Sequence, residues 1–316
     1  MRRKVFVRRA AMAFVVAAAV LATAPLLEAQ PNREFTLERE VDTPPGWVNI
    51  PRWNAGRLVG YLNNRTDGPV LYTIDRVGQR DEFLFAIPDA FRIDIKNVAI
   101  GPSGEIAVVA GAYTADGRTT TLVARIPPDR KDWRIIRTWP YVPMNVTIAS
   151  DGCIWTIGYL KDSENIRVIA EPLLKRYDAN GTVVGSQIVV DAPRGSSTMN
   201  NSFLFSSRDR VGWFTTGGKY IEFSLDGKEI GRYEGPRGLQ RRDISGVAIS
   251  EDNDVVVGNF ERGKAEFLAL DRSSRSWIPV SLPKEDAPTG AYVLGFDGTT
   301  LVTTTQNGKL VRFKTR

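Results

Sequence analysis

The chain has 316 residues, 42% of them hydrophobic and 25% charged, which supplies a sizeable core and excludes disorder over most of its length. It has no His, so Ser-His and Cys-His nucleophile pairs, His-ligated zinc and His general bases are all excluded. Twenty-eight Gly and 18 Pro, with many Val, Ile, Thr and aromatic residues, favour short strands and turns over a helical bundle.

The N-terminus reads as an export signal. Residues 1–9 are basic, an apolar run follows from Ala10 to Leu27, and the small-residue site at Ala29 precedes Pro31. Cleavage after Ala29 is expected, leaving a single domain over residues 30–316. The alternative is an anchor retained on the 18-residue run, which borders on spanning length. Removing residues 1–29 also removes Arg2, Arg3, Lys4, Arg8, Arg9 and Glu28, and 37 basic and 35 acidic residues remain. That near-neutral balance, down from a formal +6, gives no electrostatic footprint for nucleic acid. The expected location is periplasmic or secreted, with no stable membrane span after cleavage. Cys153 stands alone and cannot form an internal disulfide, so it is expected to be a packed, inert thiol.

Further along, the chain repeats itself. Asn97-Val98-Ala99-Ile100 leads through Gly104 to Ile106-Ala107-Val108-Val109, and Asn145-Val146-Thr147-Ile148 leads through Gly152 to Ile154-Trp155-Thr156-Ile157. Equivalent starts fall near residues 49, 97, 145, 202, 246 and 291, a period of 44–57 residues. Each unit opens with a hairpin, and third strands are expected at Leu71–Ile74, Leu122–Ile126, Leu174–Tyr177, Tyr220–Phe223 and Phe267–Leu270. Fourth strands follow, as at Gln187–Val190 after the turn Asp178–Gly181. The longest interval arises in Tyr159–Pro172, an extended loop that reads either as a lid or partner contact or as a tolerated insertion.

Six units of four antiparallel strands make a six-bladed β-propeller. The last unit has a third strand at Leu310–Phe313 and then the sequence stops, whereas Glu34–Val41 alternates with period two and lies before the first unit. Pairing of this N-terminal strand in the last blade closes the ring and removes an open edge. Segments such as Val98–Ile106 and Leu174–Gly181 resemble NHL-type six-bladed propeller repeats of exported bacterial proteins. That resemblance implies fold more than function, because such propellers serve as binding platforms, scaffolds and enzymes.

The resemblance also implies that ligands bind on the face formed by the blade-to-blade loops. These loops and the strand starts beside them carry Trp47, Asn49, Arg92, Asp94, Asn97, Tyr141, Asn145, Asn201, Arg241, Arg242 and Asp243, a mixture suited to a polar small molecule, a sugar, or a protein or peptide. Asn49, Asn97 and Asn145 recur at one register, 48 residues apart. They either form a partial amide ring toward the axis or each brace a local turn. Asp178–Gly181 and Asp252–Asp254 lack the remaining positions of a calcium loop and read as hairpin turns.

The expected function is therefore an exported ligand- or protein-binding or scaffold propeller, monomeric and without a cofactor. No catalytic set is recognisable. The alternative is a metal-dependent lactonase- or esterase-like hydrolase resembling the gluconolactonase-type propellers, which need no His and use a divalent cation such as calcium. Against it, the Glu-Gly-Pro segment that those enzymes carry early in the first blade is replaced here by Pro44-Pro45-Gly46-Trp47.

Overall fold

The computed structural model describes residues 33–41, 52–63, 65–162, 172–190, 202–215, 218–236, 244–261, 264–281, 292–305 and 309–315. Among them are 24 strands and no helix, so none long and apolar enough to cross a membrane. Blade one holds β2 (Arg52–Asn54), β3 (Arg57–Leu62), β4 (Val70–Asp75) and β5 (Arg80–Leu84). Blade two holds β6 (Ala90–Ile100), β7 (Ile106–Thr114), β8 (Thr119–Ile126) and β9 (Arg134–Arg137). Blade three holds β10 (Tyr141–Ile148), β11 (Ile154–Leu160), β12 (Leu173–Tyr177) and β13 (Val183–Ile188). Blade four holds β14 (Phe203–Ser206), β15 (Arg210–Phe214), β16 (Lys219–Ser224) and β17 (Glu229–Glu234). Blade five holds β18 (Ile244–Ile249), β19 (Val255–Glu261), β20 (Lys264–Asp271) and β21 (Ser276–Ser281). Blade six holds β22 (Tyr292–Asp297), β23 (Thr300–Thr304), β24 (Leu310–Thr315) and, from the other end of the chain, β1 (Arg33–Val41).

Each blade is an antiparallel four-stranded sheet, and its two faces pack in opposite directions around the ring. The result is one apolar cluster at every blade junction. Tyr61 and Phe85 meet Ile95 and Val108 between blades one and two, and Val109 meets Ile148 and Tyr177 between two and three. Trp155 meets Trp213 between three and four, and Phe203 and Tyr220 meet Val247 and Leu270 between four and five. Phe267 meets Phe313 between five and six, and Leu294 and Val302 meet Trp53 and Tyr72 between six and one. A strand covered on both faces has no reason to alternate, so β3, β7 and β11 read as continuous apolar runs. Outermost strands such as β5 and β13 are half exposed.

The ring closes as expected. β1 runs antiparallel to β24, with Phe35 opposite Thr315 and Leu37 opposite Phe313. It also makes a short parallel pairing to β21, at Arg33–Val280 and Glu34–Ser281, and so bridges blades five and six. Phe35 is buried in the cluster at that junction, a contribution of about 2 kcal/mol for a fully buried large apolar side chain. Two glycines allow close approach of neighbouring innermost strands: a Cβ on Gly246 would lie 2.1 Å from the Val293 carbonyl oxygen, and one on Gly295 2.3 Å from that of Trp53.

The first-to-second-strand turns of blades two, three and five share one design. Gly101 N–H donates to the Glu105 carbonyl and Gly104 N–H to that of Gly101, a pair of bonds repeated at Ala149–Cys153 and Ser250–Asp254. The turn needs a left-handed residue, supplied by Gly104 (φ 87°), by Gly152 (φ 78°) and, in blade five, by Asn253 (φ 68°). Asn253 therefore does what glycine does elsewhere, which explains the absence of an Asp-Gly signal from that unit. Two expected strands shift. The fourth strand of blade three begins at Val183, directly after its turn, and the first described strand of blade one is β2, so Asn49 lies outside the described residues. The extended loop 163–171 and residues 1–32 also lie outside them.

Candidate functional site

The innermost strands run from the blade-to-blade loops at one mouth of the channel to the first-to-second-strand turns at the other. At the second mouth lies a cavity of about 440 Å³. Every blade contributes to its wall: Asn54 and Ala55, Pro102, Ser150, Ser206 to Arg208, Ile249 and Glu251, and Phe296 to Gly298, with Arg76 from the third-to-fourth-strand turn of blade one.

Several of these groups are held. Arg76 donates to both Asp297 oxygens, at 2.6 and 2.5 Å, and Arg312 meets the same carboxylate at 3.1 Å. Asn54 Nδ2 donates to the Ile100 carbonyl at 3.1 Å, which ties blade one to blade two at the rim. Ser206 Oγ donates to the Ile148 carbonyl at 2.7 Å and accepts from Thr147 Oγ1 at 3.1 Å. Ser150 donates to the Arg208 carbonyl. By contrast, the Arg208 guanidinium and the Glu251 carboxylate are exposed and have no ion-pair partner among the described residues. One unengaged charge of each sign thus faces the cavity.

Deeper along the axis the channel narrows to a space of about 60 Å³, lined by Arg52, Asn54, Thr147, Ser206 and apolar residues that include Leu204, Val247 and Leu294. Arg52 is the unusual member. It is only 7% exposed, and its Nε and Nη1 are buried without a hydrogen-bond partner. Its guanidinium carbon lies 5.2 Å from the ring centroid of Phe203, which belongs to blade four on the far side of the ring. Burial lowers its pKa to about 10, so it remains charged at neutral pH. The neighbouring Tyr61 donates to the Lys96 carbonyl at 2.9 Å, and burial first, then the negative charge of Asp94, pushes its phenol up to about 12.

Of the eleven residues singled out in the sequence, Trp47, Asn49, Asn201, Arg241, Arg242 and Asp243 lie outside the described residues. Asn97 and Asn145 do come together: Asn97 Nδ2 donates to Asn145 Oδ1 at 3.3 Å, and Asn145 Nδ2 donates to Ser202 Oγ at 3.0 Å. The repeated amide is thus a cross-link between adjacent innermost strands, neither a turn brace nor an open ring. Asp94 accepts from Lys96 and from Asn63, the latter at 3.1 Å. Arg92 lies over the Tyr113 ring, 5.2 Å from its centroid, on a groove between blades one and two. Tyr141 is wholly buried, its hydroxyl donating to the Leu173 carbonyl at 3.1 Å and meeting Thr156 Oγ1 at 2.9 Å, so it is engaged within blade three. Burial raises the pKa of that phenol well above its usual value.

The residues of the axial cavity were not singled out in the sequence, where their turns read as hairpin makers. Arg52 did carry a signal. It is a charged residue on an innermost strand, whereas the residues that the other innermost strands bring to the same space, among them Ala99, Thr147, Leu204, Val247 and Leu294, are uncharged. Among the described residues no group of three Asp, Glu or Cys side chains gathers to hold a metal ion.

No protein-family model matches the chain, and no curated protein is similar to it in sequence. Among solved structures, it is similar to a selenomethionine-substituted virginiamycin B lyase from Staphylococcus aureus, at 13% identity and a TM-score of 0.49, covering 87% of this chain and 98% of that one. A streptogramin B lyase gives the same identity and TM-score over 89% and 98%. A catalytically inactive form of the Staphylococcus aureus enzyme with quinupristin gives 11% and 0.47 over 91% and 97%. At such identities and TM-scores these likenesses say nothing about the ligand or chemistry of this chain.

Proposed function

We propose that the protein is an exported binding propeller that holds a polar small molecule in the axial cavity at the mouth framed by the first-to-second-strand turns. The observation that carries this reading is that all six blades contribute to one concave wall with two unengaged charges, Arg208 and Glu251, facing it. A cavity of about 440 Å³ falls within the range of small-molecule pockets. Charges of opposite sign on a rigid rim favour a ligand with both donors and acceptors, such as a zwitterion or a sugar acid. Export rests on residues 1–29 alone, and N-terminal sequencing of the exported protein tests it: a start at Gln30 is expected, and a start at Met1 would overturn it.

The test is a thermal-shift screen of amino acids, sugar acids, sugars and nucleotides, followed by calorimetric titration of the hits. Arg208→Ala and Glu251→Ala should each weaken a hit by roughly tenfold, the value of one charge-assisted hydrogen bond. Hits that bind both variants as tightly as the parent would place the site elsewhere and overturn this reading.

A further inference from the structure

We infer that the narrow part of the channel beneath Arg52 is a subsite for a small oxyanion, the carboxylate or phosphate end of the molecule held in the wider cavity. This rests on the axial cavity being the binding site. Four observations support it. Arg52 is the one charged residue among those described around this space, to which the five other blades bring uncharged residues such as Ala99, Thr147, Leu204, Val247 and Leu294, so the repeat does not call for a cation there. Its side chain is more than nine-tenths buried, yet Nε and Nη1 have no hydrogen-bond partner, and the described groups near it are the Phe203 face and the Tyr61 phenol, with no carboxylate paired to it. Burying an uncompensated charge is costly, and an apolar residue of similar volume avoids that cost. A cation kept under those conditions is explained by a counter-charge that arrives with a ligand.

The space also fits. At about 60 Å³ it has room for about two waters, enough for a headgroup and too little for a whole metabolite. It shares Asn54, Ser206, Ile249 and Phe296 with the wider cavity, so the two are continuous. Its remaining walls are largely apolar, which strengthens the pull of the guanidinium on an anion by lowering the local dielectric. Burial leaves Arg52 with a pKa of about 10, and the guanidinium is therefore charged wherever carboxylates and phosphates are.

The experiment uses acetate and inorganic phosphate as probes, titrated into the full chain at constant ionic strength and followed by thermal midpoint and calorimetry. Either anion should raise the midpoint of the parent, and the preferred one identifies the headgroup. Arg52→Met should weaken that anion by roughly tenfold to a hundredfold while melting no lower than the parent in its absence. Arg52→Lys, which keeps the charge and guards against a Met variant that fails to fold, should retain part of the effect. If neither anion binds the parent, or if both bind Arg52→Met undiminished, the subsite is overturned. Screen hits that depend on Arg208 but carry no anionic group would overturn the subsite and leave the wider cavity standing. Arg52-dependent acetate binding without any Arg208-dependent hit would uphold the subsite and leave the wider cavity unsupported.

Discussion

Two buried charges in this ring are treated in opposite ways. Glu222 on β16 is 1% exposed and fully answered: Tyr220 donates to it at 2.9 Å, Arg210 at 3.3 Å, and Arg272 reaches across from blade five with Nε at 3.2 Å from both oxygens. Arg52 is 7% exposed, with Nε and Nη1 unpartnered and only the face of Phe203 and the uncharged phenol of Tyr61 near it. A buried charge with three donors around it locks two blades together. One with none is a weakness in an otherwise uncharged stretch of channel, and that contrast separates a structural ion from a binding one.

The largest expected effect is at the locked charge. Glu222→Ala leaves Arg272 half-buried and uncompensated and should cost about 3–5 kcal/mol of unfolding free energy, measured in urea. Glu222→Gln keeps an acceptor for Tyr220 but loses the ion pairs, and should cost about 1–3 kcal/mol. A neutral result for either would break the comparison, because Glu222 would then be no better supported than Arg52. Arg52→Met should be neutral or stabilising by on the order of 1 kcal/mol at pH 7. The charged form of Arg52 is held less firmly in the folded chain than in the unfolded one, so its destabilising contribution is constant below about pH 10 and fades as the pH rises further. The gap between Arg52→Met and the parent should accordingly close between pH 10 and 12 in pH-resolved denaturation curves.

The smallest effect concerns a buried group that is neither paired nor charged. The Tyr72 hydroxyl is buried without a partner, and burial pushes its pKa up to about 12. Unfolded tyrosines ionise near pH 10 while this one still holds its proton, so its stabilising contribution is intact below pH 10 and is lost between pH 10 and 12. Tyr72→Phe should change stability by less than about 1 kcal/mol at pH 7 and flatten the alkaline branch. A steeper branch would mean that Tyr72 is not one of the groups driving alkaline unfolding.

The blade count, the closure by Glu34–Val41 and the hairpin turns were legible because each is a local pattern copied along the chain. Asn253 shows where that reading weakens: its left-handed turn carries no glycine, and only the backbone reveals that it matches Gly104 and Gly152. Asn97 and Asn145 were recognised by their common register, but their shared hydrogen bond depends on how closely neighbouring innermost strands approach. The axial cavity was missed for a different reason. Ser150, Arg208 and Glu251 are ordinary turn residues in the sequence, and they converge only because six turns are brought around one axis.

Periodicity and end-strand arithmetic were enough to determine a closed all-β ring, since the alternation of strand and turn is set by nearest neighbours. Which mouth of the channel widens into a cavity was decided by the tertiary arrangement, as was the position of a lone guanidinium facing a phenyl ring from the opposite blade. Those outcomes depend on distances between residues some 150 positions apart, such as Arg52 and Phe203, and no local pattern encodes such a distance.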